Sequence, residues 1–430
     1  MNTIDKLIDN LNHSNVDVRL DSLRQLMKEI EAGNLPRPVR GNDVNNHIHT
    51  LYSFSPYSPS KAIWMAYNAG LATAGIMDHD SLSGAVEFIE AGKIAGMATT
   101  IGVECRADFS ATPLNGRRIN NPDQNSVAYV ALHGIPHTQI DRVRQFFLPY
   151  SAQRNLRNRK MIQKINDIIK PFDISLDFDK DVVPLSMSHE GGSITERHVL
   201  YGLSLKLIDS FGKGEKLLGF LKDSLKLNVS TKLENLLLDA QNSYYAYDLL
   251  GLLKGEMVAA FYVEAAAECP DIKEVIAFSK NIGAISAYAY LGDVGDSVTG
   301  DKKSQKFEDE YIDLLFTVIK ELGFNAVTYM PSRNSLQQLE KIRALCDKNE
   351  FFQISGEDIN SPRQSFVCEA LKNEAFHNLI DSTWALIGHE LEATKDLSLG
   401  MFSFKTEMQY TDLAKRIEVF KELGLASVAD

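Results

Sequence analysis

The chain has 430 residues, 44% of them apolar and 24% charged, with a formal net charge of −12. That length exceeds what one compact core usually holds, so several domains or one barrel with insertions is expected, and the acidic balance excludes a protein that coats duplex nucleic acid through bulk charge. The four cysteines, Cys105, Cys269, Cys346 and Cys368, are scattered without C-x-x-C spacing, which argues against a disulfide framework or zinc ribbon and fits a reducing, cytoplasmic setting.

Residues 4–32 read as helix, with Ile4, Leu7, Ile8 and Leu11 on one stripe and Leu20, Leu23, Leu26, Met27 and Ile30 on another, broken at 12–15 and stopped at Gly33. No signal-peptide layout precedes them, and no run approaches the roughly eighteen apolar residues of a spanning helix, so no membrane partner is expected. The α/β pattern starts at Asp43. His47 and His49 lie two apart at the end of a short strand, so both imidazoles face one way and form a ready chelate for a transition metal. A turn-rich loop, 52–60, then leads through Ser58 and Pro59 into a helix that closes near Gly70. A second apolar run ends in Asp78-His79-Asp80, and a third ends in Gly102-Val103-Glu104-Cys105-Arg106. Short strands separated by helix-length stretches, each ending in metal-capable side chains, describe the carboxyl-end rim of an α/β barrel or doubly wound sheet.

The order His-x-His-Thr, Asp-His-Asp, Gly-Val-Glu resembles the first three motifs of the polymerase-and-histidinol-phosphatase (PHP) superfamily of metal-dependent phosphoesterases. The resemblance covers about residues 43–106. It implies an α/β fold, a PHP-like distorted (β/α)7 barrel, with metal ligands at His47, His49, His79 and Glu104. Asp78 and Asp80 would then hold ligands or a bound water in place, or simply cap the following helix. Arg106 would grip a phosphate oxygen, or pair with Glu104. Superfamily members commonly carry an Asp shortly after the second His; here no Asp lies between His49 and Asp78.

Further along, residues 127–132 form a buried-type strand that ends in His133, read as another ligand, with His137 in a loop. Residues 153–169 are helical and carry Arg154, Arg157, Arg159, Lys160 and Lys164, a solvated face or an attractor for an anionic substrate. Much of 196–265 also reads as helix. We assign 1–40 as an N-terminal helical extension, 41–150 and 276–365 as the two parts of the barrel, 151–275 as a mainly helical insertion over its mouth, and 366–430 as a C-terminal helical extension. Ahead of one inserted helix, Gly191-Gly192-Ser193-Ile194-Thr195 places Arg197 and His198 in its first turn, an arrangement suited to anions and comparable to an Arg-His pair in several members of the superfamily. Strands return at 284–290, 325–330 and 351–360. The first is similar to a segment that ends in a His ligand in many relatives, with Tyr288 or a neighbour standing there instead, and the last resembles a closing Gly-x-Asp-x-His, with Asp358 retained and Asn360 replacing the His. Asn can still ligate through its carbonyl oxygen. His389 sits among apolar residues and reads as packing.

Six retained groups, His47, His49, His79, Glu104, His133 and Asp358, with Asn360 beside them, imply divalent ions, two of them, drawn from Mn, Fe or Zn. The resulting expectation is hydrolysis of a phosphate ester of a small molecule or nucleotide, with Arg106 and Arg197 on the phosphate and His198 as the acid. The alternative is a degenerate module that binds metal or a phosphorylated ligand without turnover, since three positions where relatives carry Asp or His hold other residues. Oligomeric state is not fixed by the sequence.

Overall fold

A computed structural model describes residues 3–293 and 306–427. Seven strands form one sheet in sequence order: β1 Val44–Ile48, β2 Thr73–His79, β3 Ala98–Asp108, β4 Val127–His133, β5 Ile285–Tyr290, β6 Ala326–Tyr329 and β7 Phe352–Ser355. Pairing is parallel throughout except at β4, which runs antiparallel to both β3 and β5. The segment after β7 returns to β1: His49 donates its N–H to the Ile359 carbonyl at 3.0 Å, and Ile359 donates to that of His47 at 3.1 Å. The sheet thereby curls into the distorted α/β barrel expected from the sequence. Its strands are buried along nearly their whole length on both faces, as expected of helix-covered parallel strands.

Helices α1 (Thr3–Asn10) and α2 (Val16–Glu31) pack outside α3 (Pro59–Asn68) and α4 (Ala85–Ala95). They are fastened by buried Arg19, whose guanidinium meets both Glu87 oxygens, at 2.8 and 2.5 Å. The break expected at 12–15 falls between α1 and α2, and Ser58 caps α3 through the Lys61 N–H.

Between β4 and β5 lies the helical segment read from the sequence as an insertion, with α5 (Ile140–Ile169), α6 (Glu196–Phe211), α7 (Glu215–Gly219), α8 (Thr231–Leu238) and α9 (Tyr245–Phe261). It has its own apolar core, built from residues such as Met161, Leu203, Leu207, Leu249 and Phe261. Helix α5 starts well before the 153 expected, running through Pro149. One proline removes only one hydrogen bond, and buried Val143 and Phe147 anchor that half of the helix to the barrel. After α10 (Ile272–Ile282), α11 (Ile312–Leu322) and α12 (Leu336–Asn349) comes α13 (His377–Lys395), then α14 (Phe404–Gln409) and α15 (Leu413–Ala426).

The last part of the chain is helical, as expected, but α13 is more than an appendage. Its Glu390 accepts the Thr100 hydroxyl at 2.7 Å and the Ile101 N–H at 2.8 Å, at the start of β3. Ala385 and Leu386 join Met77, Ala131, Ile285, Ala287, Ala326, Phe352 and Ile354 in one cluster. Helix α13 therefore forms the apolar floor of the barrel, at the end opposite the metal-capable side chains.

Candidate metal centre

The pairing of β1 with β2 is irregular between Asn45 and Ile48. Asn45 Oδ1 pins the irregularity by accepting the N–H groups of His47 at 2.9 Å and Glu357 at 3.0 Å. His47 and His49 emerge on the same side with ring centroids 5.0 Å apart. Gly356 lets His47 approach: a Cβ there would lie 2.6 Å from the Cβ of His47. His79 reaches the group from β2, its ring 4.6 Å from that of His49. Glu104, its register partner on β3, sits between the imidazoles, one oxygen 3.7 Å from His47 Nε2 and 3.2 Å from His79 Nδ1. Asp358 closes the ring from the segment after β7, 3.1 Å from His49 Nε2. Asn360 donates to Asp358 at 2.5 Å, while its own Oδ1 is buried without a partner.

Asp78 points away from this group and holds it from behind. Its carboxylate accepts the Thr50 N–H at 2.7 Å, the Thr50 hydroxyl at 2.6 Å and the Ser53 hydroxyl at 2.6 Å. Ser53 Oγ is in turn 3.2 Å from His49 Nδ1. A carboxylate so placed would orient a ligating His49 through Ser53.

The protonation pattern fits a cation. Burial, followed by neighbouring His49 and Arg154, pushes the His79 imidazole well below its ordinary pKa, so the ring is neutral and one of its nitrogens has a lone pair free to ligate. Burial opposes ionisation of Asp358, but its bond to His49 and the charges of His47 and Arg197 outweigh that and hold it well below the usual carboxylate range. Burial also opposes the charged form of His47, yet Glu104 raises its pKa. A divalent ion would displace that proton. His47, His49 and Glu104 each offer a donor atom within 4.8 Å of the others, and His47 Nε2 is buried without a hydrogen-bond partner. These residues fit a divalent transition metal in donor type, spacing and unmet bonding capacity.

Several expectations change in three dimensions. His133 ends a strand, but β4 is reversed, so its carboxyl end lies toward the floor rather than at the rim. Register sets Ala131 opposite Glu104 and His133 beside Ile285, below the other ligands. Its imidazole is buried, neutral with a pKa lowered to about 3 by burial and then by His47, and its Nε2 is unpartnered. Arg106 pairs neither with a free phosphate site nor with Glu104: its guanidinium is committed to buried Glu268. Asp80 does not cap α4, whose N-cap is Gly84 without a side-chain bond; it pairs with Arg154 at 2.5 Å. Arg154 and Arg157 are buried rather than on a solvated face. His198 is spent on the helix: its Nδ1 accepts the Thr195 N–H at 3.0 Å in a capping box, and burial lowers its pKa to about 3, leaving it neutral and unable to act as an acid near pH 7. Tyr288 faces away from the barrel interior and donates to Glu308 at 3.3 Å. His389 packs as expected, accepting the Met401 N–H at 2.9 Å.

Arg197 stands at the start of α6, half-buried, within electrostatic reach of Asp358. The sequence reading missed its neighbour, Lys254 of α9. Helices α6 and α9 pack side by side, with the Tyr201 and Tyr247 rings 4.9 Å apart. The facing Arg197 guanidinium, and then burial, lower the Lys254 pKa, while Asp358 is among the carboxylates that oppose the shift. A signal was present: Lys254 is the only basic residue in α9. Glu268, which gathers three arginines, was also passed over.

A rim that gathers imidazoles and carboxylates able to hold a divalent ion, in electrostatic reach of Arg197 and Lys254, is the arrangement of a metal-dependent hydrolase. A family profile described as PHP domain matches residues 45–327, insertion included, and the chain belongs to that family. No curated protein matches it. Among solved structures, it is similar to a protein from Bifidobacterium adolescentis assigned as a metal-dependent phosphoesterase, at 17% identity and a TM-score of 0.51, covering 80% of this chain and 97% of that one. It is also similar to an amidohydrolase from Chromobacterium violaceum, solved with sulfate and without metal, at 16% identity and a TM-score of 0.49 over 76% and 90% of the two chains.

Proposed function

We propose that the chain hydrolyses a phosphate ester, mono- or diester, of a small molecule or nucleotide. The observation that carries this reading is the His47, His49 and Glu104 group, closed by Asp358, with the cations Arg197 and Lys254 in electrostatic reach of that Asp358. An ion there would supply Lewis acidity, lowering the pKa of a water and offsetting charge on the phosphoryl group. His47, His49, Glu104 and Asp358 would hold one ion. His79, sharing Glu104, with the Asn360 carbonyl oxygen near, would hold a second with fewer protein ligands; Mn, Fe and Zn suit the mixed donors. Arg197 and Lys254 would bind the phosphoryl oxygens, each a charge-assisted contact. His133 would support His47 from below rather than ligate at the rim. The leaving group takes its proton from water, since His198 is unavailable.

The test is hydrolysis of an aryl phosphate and an aryl phosphodiester by protein purified from Mn- and Zn-supplemented cells, with metal content measured alongside. Turnover that disappears in His47→Ala, with circular dichroism unchanged, is expected. Wild-type turnover in that variant overturns the assignment. A non-catalytic binding module is favoured by one feature: the second ion would lack a carboxylate from the 50–60 loop and a His at position 360. Metal bound at one ion or fewer per chain without turnover would establish that reading.

A further inference from the structure

Asp80 is one of five non-glycine residues with positive φ among those described, at +48°, a conformation that the surroundings must hold. It directly follows His79, and its N–H donates to the Glu104 carbonyl at 2.9 Å. The turn at Asp80 thus sets where both residues of the His79–Glu104 pair stand. No helix cap explains it. What its carboxylate meets is Arg154 of α5, at 2.5 Å, with both side chains at most 4% exposed.

Arg154 is itself braced. Its Nε lies 3.4 Å from Glu268 Oε1; Arg157 holds the other Glu268 oxygen at 2.6 Å and the Val263 carbonyl at 2.9 Å; Arg106, two residues beyond Glu104 on β3, contacts the first oxygen. The strands that carry His79 and Glu104 are therefore each tied to the insertion by buried charge pairs, β2 through Asp80 and Arg154, β3 through Arg106 and Glu268. Deleting one member of such a pair leaves an uncompensated buried charge, so the neighbourhood rearranges.

We infer that Arg154 is a positioning residue for the metal centre: from the insertion, it fixes the Asp80 turn and thereby seats His79 against Glu104. The inference rests on the metal-centre reading above, but not on the nature of the substrate. It makes the insertion a structural component of the ion site as well as a cover over it.

Isothermal titration of the full-length apoprotein with Mn2+ or Zn2+ tests it, beside thermal melts. Arg154→Met is expected to weaken the less well-ligated site about tenfold, the lower end for groups that orient metal ligands. Asp80→Asn should weaken it similarly, and the double variant no further, because both act through one link. Arg154→Lys should restore part of the affinity. Arg159→Met, which removes an exposed pair with Asp179 and a contact over the Phe178 ring but none of the buried links above, serves as the control and should bind as wild type. Unchanged metal affinity in Arg154→Met, or additive losses in the double variant, overturns the inference. Should Arg154→Met fail to fold, Arg154→Lys and Asp80→Asn decide: wild-type affinity in both overturns it, and a selective loss at one site upholds it. A wild-type protein that takes up no ion overturns the metal centre itself, whereas ion uptake without phosphatase activity leaves this inference intact and removes only the proposed reaction.

Discussion

Two buried glutamates, one at each end of the barrel, show how differently its two faces are built. On the floor, Glu390 receives the Thr100 hydroxyl, the Ile101 N–H and His137 Nε2, at 2.7, 2.8 and 2.9 Å. At the mouth, the close partners of Glu104 are imidazole nitrogens, at 3.2 and 3.7 Å, and one of these, His47 Nε2, is a buried atom with no hydrogen bond. Leaving a buried polar group unpaired costs about 1–3 kcal/mol. A fold can bear that at one end when something absent from the polypeptide completes the bonding. The Glu390 carboxylate is satisfied by the chain alone; the Glu104 side of the mouth keeps bonding capacity that a cation would complete.

Substitutions at the two glutamates should separate these roles. Glu104→Gln keeps the shape but halves the anionic ligand's capacity, and should lower metal occupancy and cut turnover by at least ~100-fold, equivalent to about 3 kcal/mol of transition-state stabilisation. Its melting temperature without metal should stay near that of the wild type. Glu390→Gln should do the reverse. Losing the charge-assisted bonds on the floor should cost about 1–3 kcal/mol of stability, read as a lower melting temperature, with metal stoichiometry unchanged. If Glu390→Gln empties the metal site, the floor and the mouth are one unit and the contrast fails. Between these in effect on activity lies Lys254→Met, expected to raise KM for a phosphorylated substrate about tenfold through loss of one ionic hydrogen bond, while metal titration remains unchanged.

The part of the mouth legible in the sequence is the part encoded by neighbouring residues. His47 with His49, and Glu104 with Arg106, each follow from the two-residue period of a strand, which also sends Asp78 and His79 to opposite faces of β2. What escaped is fixed by elements far apart in the chain. Nothing within Val127–His133 states that β4 runs against its neighbours, because a buried strand reads the same in either direction; hence His133 stands lower in the barrel than a parallel strand would put it. Arg106 could not be matched to Glu268 from the sequence, since 162 residues separate them and the pair is made by the way the insertion folds back. Separation along the chain likewise hid the partner of Asp80, where a local helix cap was as good a reading as an arginine on α5. Lys254 was obscured by its apolar helix, although a lone cation in such a setting needs a reason to be there. The fold itself, by contrast, followed from the alternation of short apolar strands with helices, and the barrel architecture matches that expectation.

The smallest expected effect concerns His198 and its pH dependence, and it sharpens the same distinction between residues that serve the chain and residues that await a ligand. His198 accepts the Thr195 N–H through Nδ1, so its neutral form is the one the fold uses. Burial lowers its pKa to about 3, from the ordinary 6.5. Between those values the unfolded chain binds more protons than the folded one, so stability rises with pH; the contribution is complete above pH 6.5 and is lost as pH falls through that value toward 3. The limiting slope is about 1.4 kcal/mol per pH unit for one such group. His133, lowered to about 3 as well, adds to the same decline. His198→Asn should therefore flatten the acid limb of stability measured by urea unfolding between pH 6.5 and 4, at a modest loss of stability at pH 7 from the weakened cap. The pH profile of turnover above pH 6 should be unmoved, because a histidine that is already neutral there has no proton to give. A shift of that profile in the variant would return His198 to the chemistry and place the acid of the reaction at the amino end of α6.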